Sequence, residues 1–152
     1  MKIAYVASEI TPFASTGGLA EVAGALPAAL VAQGHTVWRF MPMYRAIIES
    51  PHSIRRLDIK LTIPVGFRNY RAEVWTCEDP GPRTYFIRRD EFFDRSQLYS
   101  LPDRDYDDNF ERYVFFQKAV VALIDELQLK PDIVHGNDWQ SGLLPFFLQH
   151  GI

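Results

Sequence analysis

The chain has 152 residues, 47% of them hydrophobic and 23% charged, which suits a single soluble globular domain and argues against a disordered segment. With a formal net charge of −3 and only the short clusters Arg55-Arg56 and Arg88-Arg89, which read as solvated faces, nothing points to a nucleic-acid partner. One cysteine, Cys77, excludes an internal disulfide or a cysteine-based metal site and suits a reducing, cytoplasmic setting, and no stretch reaches the roughly 18 apolar residues that a membrane span needs.

Residues 2–7, KIAYVA, form a short apolar run of the kind found in strands buried on both faces, and the opening MKIAYVASEI lacks the apolar core of a signal peptide. A loop with two adjacent glycines follows, then a helix over 19–34, where Leu19, Val22, Ala23, Leu26, Leu30 and Val31 recur at helical spacing and Gly34 sits where a C-cap belongs. Pro27 should bend or divide that helix, at about 3 kcal/mol unless the fold compensates. Residues 36–42, TVWRFMP, are the second strand of a βαβ unit.

Between 51 and 88 the pattern changes to partial alternation in RRLDIKLTIPV, NYRAEVWTCE and RTYFIRR, with DPGP (79–82) as a turn. It reads as an antiparallel hairpin or meander inserted into the α/β frame. A helix follows, opened by a capping box of Asp108 and Glu111, largely apolar apart from a stripe of Glu111, Lys118 and Asp125. PDIVHG (131–136) is a third parallel strand, and NDWQSGLLPFFLQHG one more helix capped by Asn137 or Asp138. The pattern stops with fewer strands than a doubly wound sheet usually carries, so the chain reads as a piece of a domain.

Three stretches carry groups suited to chemistry. In STGGLAEV (15–22) the adjacent glycines let backbone approach a ligand, and the helix behind them aims free N–H groups and a positive dipole end at the same spot, an arrangement that binds phosphate; a plain βα turn needs glycine too. In HGNDWQSG (135–142) polar groups surround Trp139 at a strand's carboxyl end, where open α/β sheets bind ligands, and an aromatic face beside amide and carboxylate groups suits a sugar. Capping and core packing would account for the same residues. The acidic loop 98–112 holds Tyr99, Tyr106, Asp105, Asp107 and Asp108; a solvated loop explains it better than a metal site.

The elements IAYVASEITPFASTGGLAEVAGALPAAL, DYDDNFERYVFFQKA and PDIVHGNDWQSGLLPFFL, in that order, closely resemble glycosyltransferase family 5, the glycogen and starch synthases, across essentially the whole chain. The resemblance implies two Rossmann-like domains facing each other across a cleft, with 1–152 forming part of the first and the second, which holds most of the nucleotide-sugar site, lying outside it. It implies transfer of glucose from ADP-glucose or UDP-glucose to an α-1,4-glucan with retention of configuration, and no metal or other cofactor. The family's Lys-x-Gly-Gly turn maps onto Ser15, Thr16, Gly17 and Gly18, so Ser15, Gly17 and Gly18 would meet the donor phosphates. Glu9 would shape the acceptor wall, and Glu21, Tyr99, Asn137, Asp138, Trp139 and Gln140 would face the cleft. No complete catalytic set lies within the chain.

Ser15 departs from the family lysine. A hydroxyl supplies no positive charge, and losing a charge-assisted contact costs on the order of 2–4 kcal/mol of transition-state stabilisation, roughly 30- to 800-fold in rate. Asn137 and Gln140, where many relatives have histidine, keep hydrogen-bonding capacity. The competing reading is a non-catalytic module that binds α-glucan or maltooligosaccharide. A Rossmann dehydrogenase fits poorly: the Gly-x-Gly-x-x-Gly turn is missing and no acidic residue ends 36–42.

Overall fold

In a computed structural model that describes residues 1–78 and 81–152, six strands form one mixed sheet in the order β3-β4-β5-β2-β1-β6. β1 (Lys2–Val6) is central and pairs in parallel with β2 (Thr36–Pro42) on one side and β6 (Ile133–Gly136) on the other; β2 pairs in parallel with β5 (Thr84–Arg88). β3 (Arg55–Val65) and β4 (Arg68–Cys77) continue the sheet beyond β5 in antiparallel fashion. The alternating middle segment is therefore a meander built into the main sheet, whose last strand switches the pairing back to parallel. Of the turn expected at 79–82, Asp79 and Pro80 lie outside the described residues, and Gly81 takes φ +82.

The chain moves from β1 to β2 through α1 (Gly18–Ala32) and from β5 to β6 through α4 (Asn109–Glu126), in opposite directions along the sheet. Right-handed crossovers running opposite ways place their helices on opposite faces. α4 packs on β2, β3 and β5 and buries Tyr113, Phe115, Phe116, Val120, Leu123 and Ile124. α1 buries only Ala20, Ala23 and Pro27 and leaves Val22 and Val31 exposed. Its apolar period is a shallower contact than the spacing implies.

Three helix expectations are corrected. Pro27 does not divide α1, which runs unbroken from Gly18 to Ala32 with the proline ring on the buried side, where packing offsets the lost hydrogen bond. Gly34, at φ +86, turns the chain out just past the helix end, in the left-handed conformation glycine adopts freely. The capping box at α4 does not form: Asp108 makes no side-chain cap bond, because both its oxygens accept from Arg95, while the Glu111 carboxylate accepts from the Tyr70 hydroxyl. The last helix is also split, into a 3-10 turn at Trp139–Ser141 and α5 (Leu144–His150), with Pro145 in the first turn of α5. Short helices α2 (Arg45–Ile48) and α3 (Asp90–Phe93) follow β2 and β5. Among the described residues no helix is long and apolar enough to cross a membrane.

Candidate functional site

Parallel pairing puts the carboxyl ends of β1, β2, β5 and β6 on one rim. The ladder continues past the strands there: the Ala7 amide donates to the Phe40 carbonyl (3.1 Å) and the Asn137 amide to the Val6 carbonyl (3.0 Å). The loop after β1 and the loop after β6 therefore leave the sheet side by side. Asn137 secures this, accepting from the Tyr5 hydroxyl (3.0 Å) and donating to the Val6 carbonyl (2.9 Å). Its amide is engaged on both sides by the strand it touches. Burial raises the Tyr5 pKa, which keeps that hydroxyl a donor.

Glu9 lies beneath the glycine turn and is 4% exposed. Its carboxylate accepts from the Thr16 amide, from the Thr16 hydroxyl (2.8 Å) and from the Tyr99 hydroxyl (2.8 Å). Tyr99 has one proton to give, so the Ser8 hydroxyl, 2.8 Å away, donates to it. Desolvation holds the Tyr99 hydroxyl well above its ordinary pKa and so fully protonated. Four residues separated by as many as 91 positions thus form one network that fixes the turn.

Above it, Ser15, Gly17 and Gly18 are exposed. Gly17 is the N-cap of α1 in an extended conformation, and no side chain caps the helix. A methyl group added at Gly17 or Gly18 would meet nothing within 4 Å, so no internal packing demands glycine there, and the first-turn amides open to the rim. Packing demands it at Gly24 instead, where a Cβ would stand 2.2 Å from Thr11 Oγ1 and 3.1 Å from the Thr11 carbonyl oxygen. Glu21 is exposed in the first turn of α1.

Across the rim Trp139 is 53% exposed. Its ring meets Tyr113 edge-on at 5.0 Å between centroids and Tyr99 at 6.3 Å. Asp138 reaches φ +60, ψ −178, a region that disfavours residues with a Cβ and costs of order 1–3 kcal/mol. Its carboxylate accepts from the Trp139 amide at 2.7 Å. Ser141 closes the turn, its hydroxyl donating to the Asn137 carbonyl at 2.7 Å, and a Cβ on Gly136 would stand 2.9 Å from that hydroxyl oxygen. Gln140, expected on the cleft, is buried, and its amide oxygen has no hydrogen-bond partner among the described residues.

The sequence reading brought out Glu9, Tyr99 and Trp139 and missed what holds them. Buried Arg112 donates to the carbonyls of Phe92 (2.6 Å) and Leu98 (2.9 Å) and to the Asn109 side chain (2.6 Å), and Asn109 donates to the Tyr99 carbonyl (2.8 Å). The loop carrying Tyr99 is thus pinned by α4. Tyr44 and Tyr113 share a hydrogen bond of 3.0 Å below the Trp139 ring, and burial pushes the Tyr113 hydroxyl up to about 12. The one sequence signal was an arginine three residues after an asparagine, set among the aromatic and apolar residues of a largely apolar helix. In the acidic loop Asp108 is absorbed by Arg95, and no group of three or more His, Cys, Asp or Glu side chains among the described residues is placed to hold a metal ion.

A family model described as the starch synthase catalytic domain matches residues 2–151. The glycogen synthase of Syntrophotalea carbinolica is 40% identical over 149 residues, covering 98% of this chain and 31% of its own length. That of an Anaeromyxobacter species is 43% identical over 150 residues, covering 98% and 30%. Among solved structures, the catalytic domain of Starch Synthase IV from Arabidopsis thaliana, bound to ADP and acarbose, superposes with a TM-score of 0.85 at 29% identity, covering 97% of this chain and 30% of that one. The chain spans about 30% of the length of the curated relatives it matches.

Proposed function

Since the chain belongs to the starch synthase catalytic domain family, we propose that its rim is one wall of the active cleft of an α-glucan synthase. The reaction moves glucose from ADP-glucose or UDP-glucose to the non-reducing end of an α-1,4-glucan, in a cytoplasmic setting. The bond from glucose C1 to the diphosphate breaks, a bond from C1 to the acceptor hydroxyl oxygen forms with retention, and the diphosphate leaves carrying negative charge. Residues 1–152 are part of the N-terminal Rossmann-like domain, and a second domain holds the rest of the nucleotide-sugar site. The isolated chain is inactive.

The observation that carries this reading is the continuity of the rim. An uncapped helix terminus and a half-exposed tryptophan follow adjacent parallel strands, and they are linked by the hydrogen bonds of Glu9 to Thr16 and Tyr99 and by the ring contact of Tyr99 with Trp139. The first-turn amides of α1, with Ser15, Gly17 and Gly18, face the leaving diphosphate, where backbone donors and the helix dipole offset developing charge. Trp139 supplies a face for the acceptor sugar, with the Asp138 carboxylate and Glu21 at its margin. Glu9 acts through the turn it holds, since three hydrogen bonds from Thr16 and Tyr99 engage its buried carboxylate.

A chimera tests the reading: residues 1–152 replace the equivalent segment of the Syntrophotalea carbinolica enzyme. Elongation of glycogen from ADP-glucose or UDP-glucose is expected, faster with Ser15→Lys. A folded chimera that elongates nothing in either form overturns it. A second reading, a non-catalytic glucan-binding module, draws on the exposed Trp139 alone. It predicts saturable quenching of tryptophan fluorescence by maltoheptaose in the isolated chain together with an inactive chimera.

A further inference from the structure

The meander presents a second face, turned away from α4. In β4, Tyr70, Ala72 and Val74 are buried, and Tyr70 bonds Glu111 of α4, so Arg71, Glu73 and Trp75 lie on the face turned away from that helix. Register sets Arg56 of β3 opposite Trp75 and Arg88 of β5 opposite Glu73. With Arg89 and the start of α3 these residues line a groove of about 570 Å³, which shares no residue with the cluster of Glu9, Ser15, Tyr99 and Trp139. That is within the usual size of small-molecule sites.

The lining holds four arginines against three carboxylates, a local excess of positive charge in a chain whose formal net charge is −3. Three of the arginines are held by neighbours: Arg56 by Glu73 (3.1 Å), Arg88 by Asp90 (2.7 Å) and Arg89 by Glu91 (2.5 Å). Pairs this exposed contribute about 0–1 kcal/mol, so an incoming anion can displace them at little cost. Arg71 makes no ion pair among the described residues, whereas the Arg89 guanidinium lies over the Tyr70 ring at 5.3 Å, on the side of the sheet that faces α4. The Arg88 guanidinium lies over the Trp75 ring at 5.4 Å, which holds it in place before any ligand arrives. Guanidinium forks match phosphate oxygens in geometry as well as charge.

We propose that this groove binds the phosphate group of a small phosphorylated molecule, with Arg71 as its principal donor and Arg88 as its second. The inference stands apart from the glucosyltransferase reading. It is tested by titrating the isotope-labelled chain with sodium phosphate and with glucose 1-phosphate, reading the arginine Nε–H and Trp75 indole resonances. Saturable shifts at Arg71, Arg88 and Trp75 are expected with both ligands and not with sodium chloride at matched ionic strength. Arg71→Ala, an exposed change, is expected to weaken binding about tenfold with the fold retained, Arg71→Lys less, and Arg56→Ala in the same direction. Shifts that drift without saturating, match those from chloride, or persist at wild-type affinity in Arg71→Ala overturn the proposal. So does a response to maltoheptaose equal to that from phosphate, which would make the groove a sugar platform.

Discussion

Glu9 shows how one buried side chain organises the loop that follows β1. Its carboxylate is spent on Thr16 and Tyr99. In Glu9→Gln one of those oxygens becomes an NH2 group facing a donor. A buried mismatch of that kind costs about 1–3 kcal/mol, and urea unfolding is expected to show the loss, with faster hydrogen exchange at the Thr16 amide. A wild-type midpoint would mean that the turn does not depend on this bond. Ser15 is the opposite case: exposed, with room around it, and without charge. Ser15→Lys is expected to tighten pyrophosphate binding to the chain about tenfold, or about 1.4 kcal/mol, by calorimetry; no change would place residue 15 away from the anion. The sequence disclosed these residues as types at a strand end. It did not disclose that Glu9 meets Tyr99, because nothing local encodes a contact across 90 positions.

At the scale of elements, α4 begins on an ion pair where a cap was expected. Asp108 accepts from both terminal nitrogens of Arg95, and that guanidinium holds its carboxyl below the usual aspartate value. A depressed pKa stabilises the fold above the unfolded-state value near 3.8 and loses that contribution as pH falls through the lower folded value. Asp108→Asn is therefore expected to lower the melting temperature at pH 7, by a destabilisation of about 1 kcal/mol, and to leave less difference from wild type at the most acidic pH where the fold persists. Equal melting of the two proteins at pH 7 would show the pair to be idle. The capping-box pattern was legible but ambiguous: Asp and Glu at that spacing fit a helix start, yet Arg95 and Tyr70 claimed both side chains. α1 presents the converse lesson. Its notable glycines, 17 and 18, have open space around them, whereas Gly24 is pressed against Thr11. Gly24→Ala is expected to cost about 1–3 kcal/mol by overpacking, seen as a lower urea midpoint, while Gly18→Ala leaves stability nearly unchanged.

Over the whole molecule, the βαβ frame and the alternating meander were legible because period and punctuation are local. Strand order was not. Nothing in RTYFIRR says that it pairs in parallel with TVWRFMP on one side and antiparallel with β4 on the other. Nor did the sequence mark β6 as an edge strand, paired only with β1 among the described residues, with Ile133 41% exposed and Leu143, Phe146 and Leu148 of the following segment exposed as well. An apolar edge with free backbone groups is a template for another strand. The chain is expected to self-associate as its concentration rises in sedimentation velocity, and Ile133→Lys to shift it toward monomer; a concentration-independent monomer would mean that the edge is already protected.

The single oxygen of Glu9 that takes both the Thr16 and the Tyr99 hydroxyls ties the two halves of the rim into one thermodynamic unit. A sugar that draws Tyr99 toward Trp139 loosens or tightens the bond that steadies the loop over α1, and an anion settling on that loop exerts the same free-energy change on Tyr99 in return, since coupling between two equilibria is reciprocal. Donor and acceptor affinities measured singly on this wall would then not sum to the affinity measured with both bound.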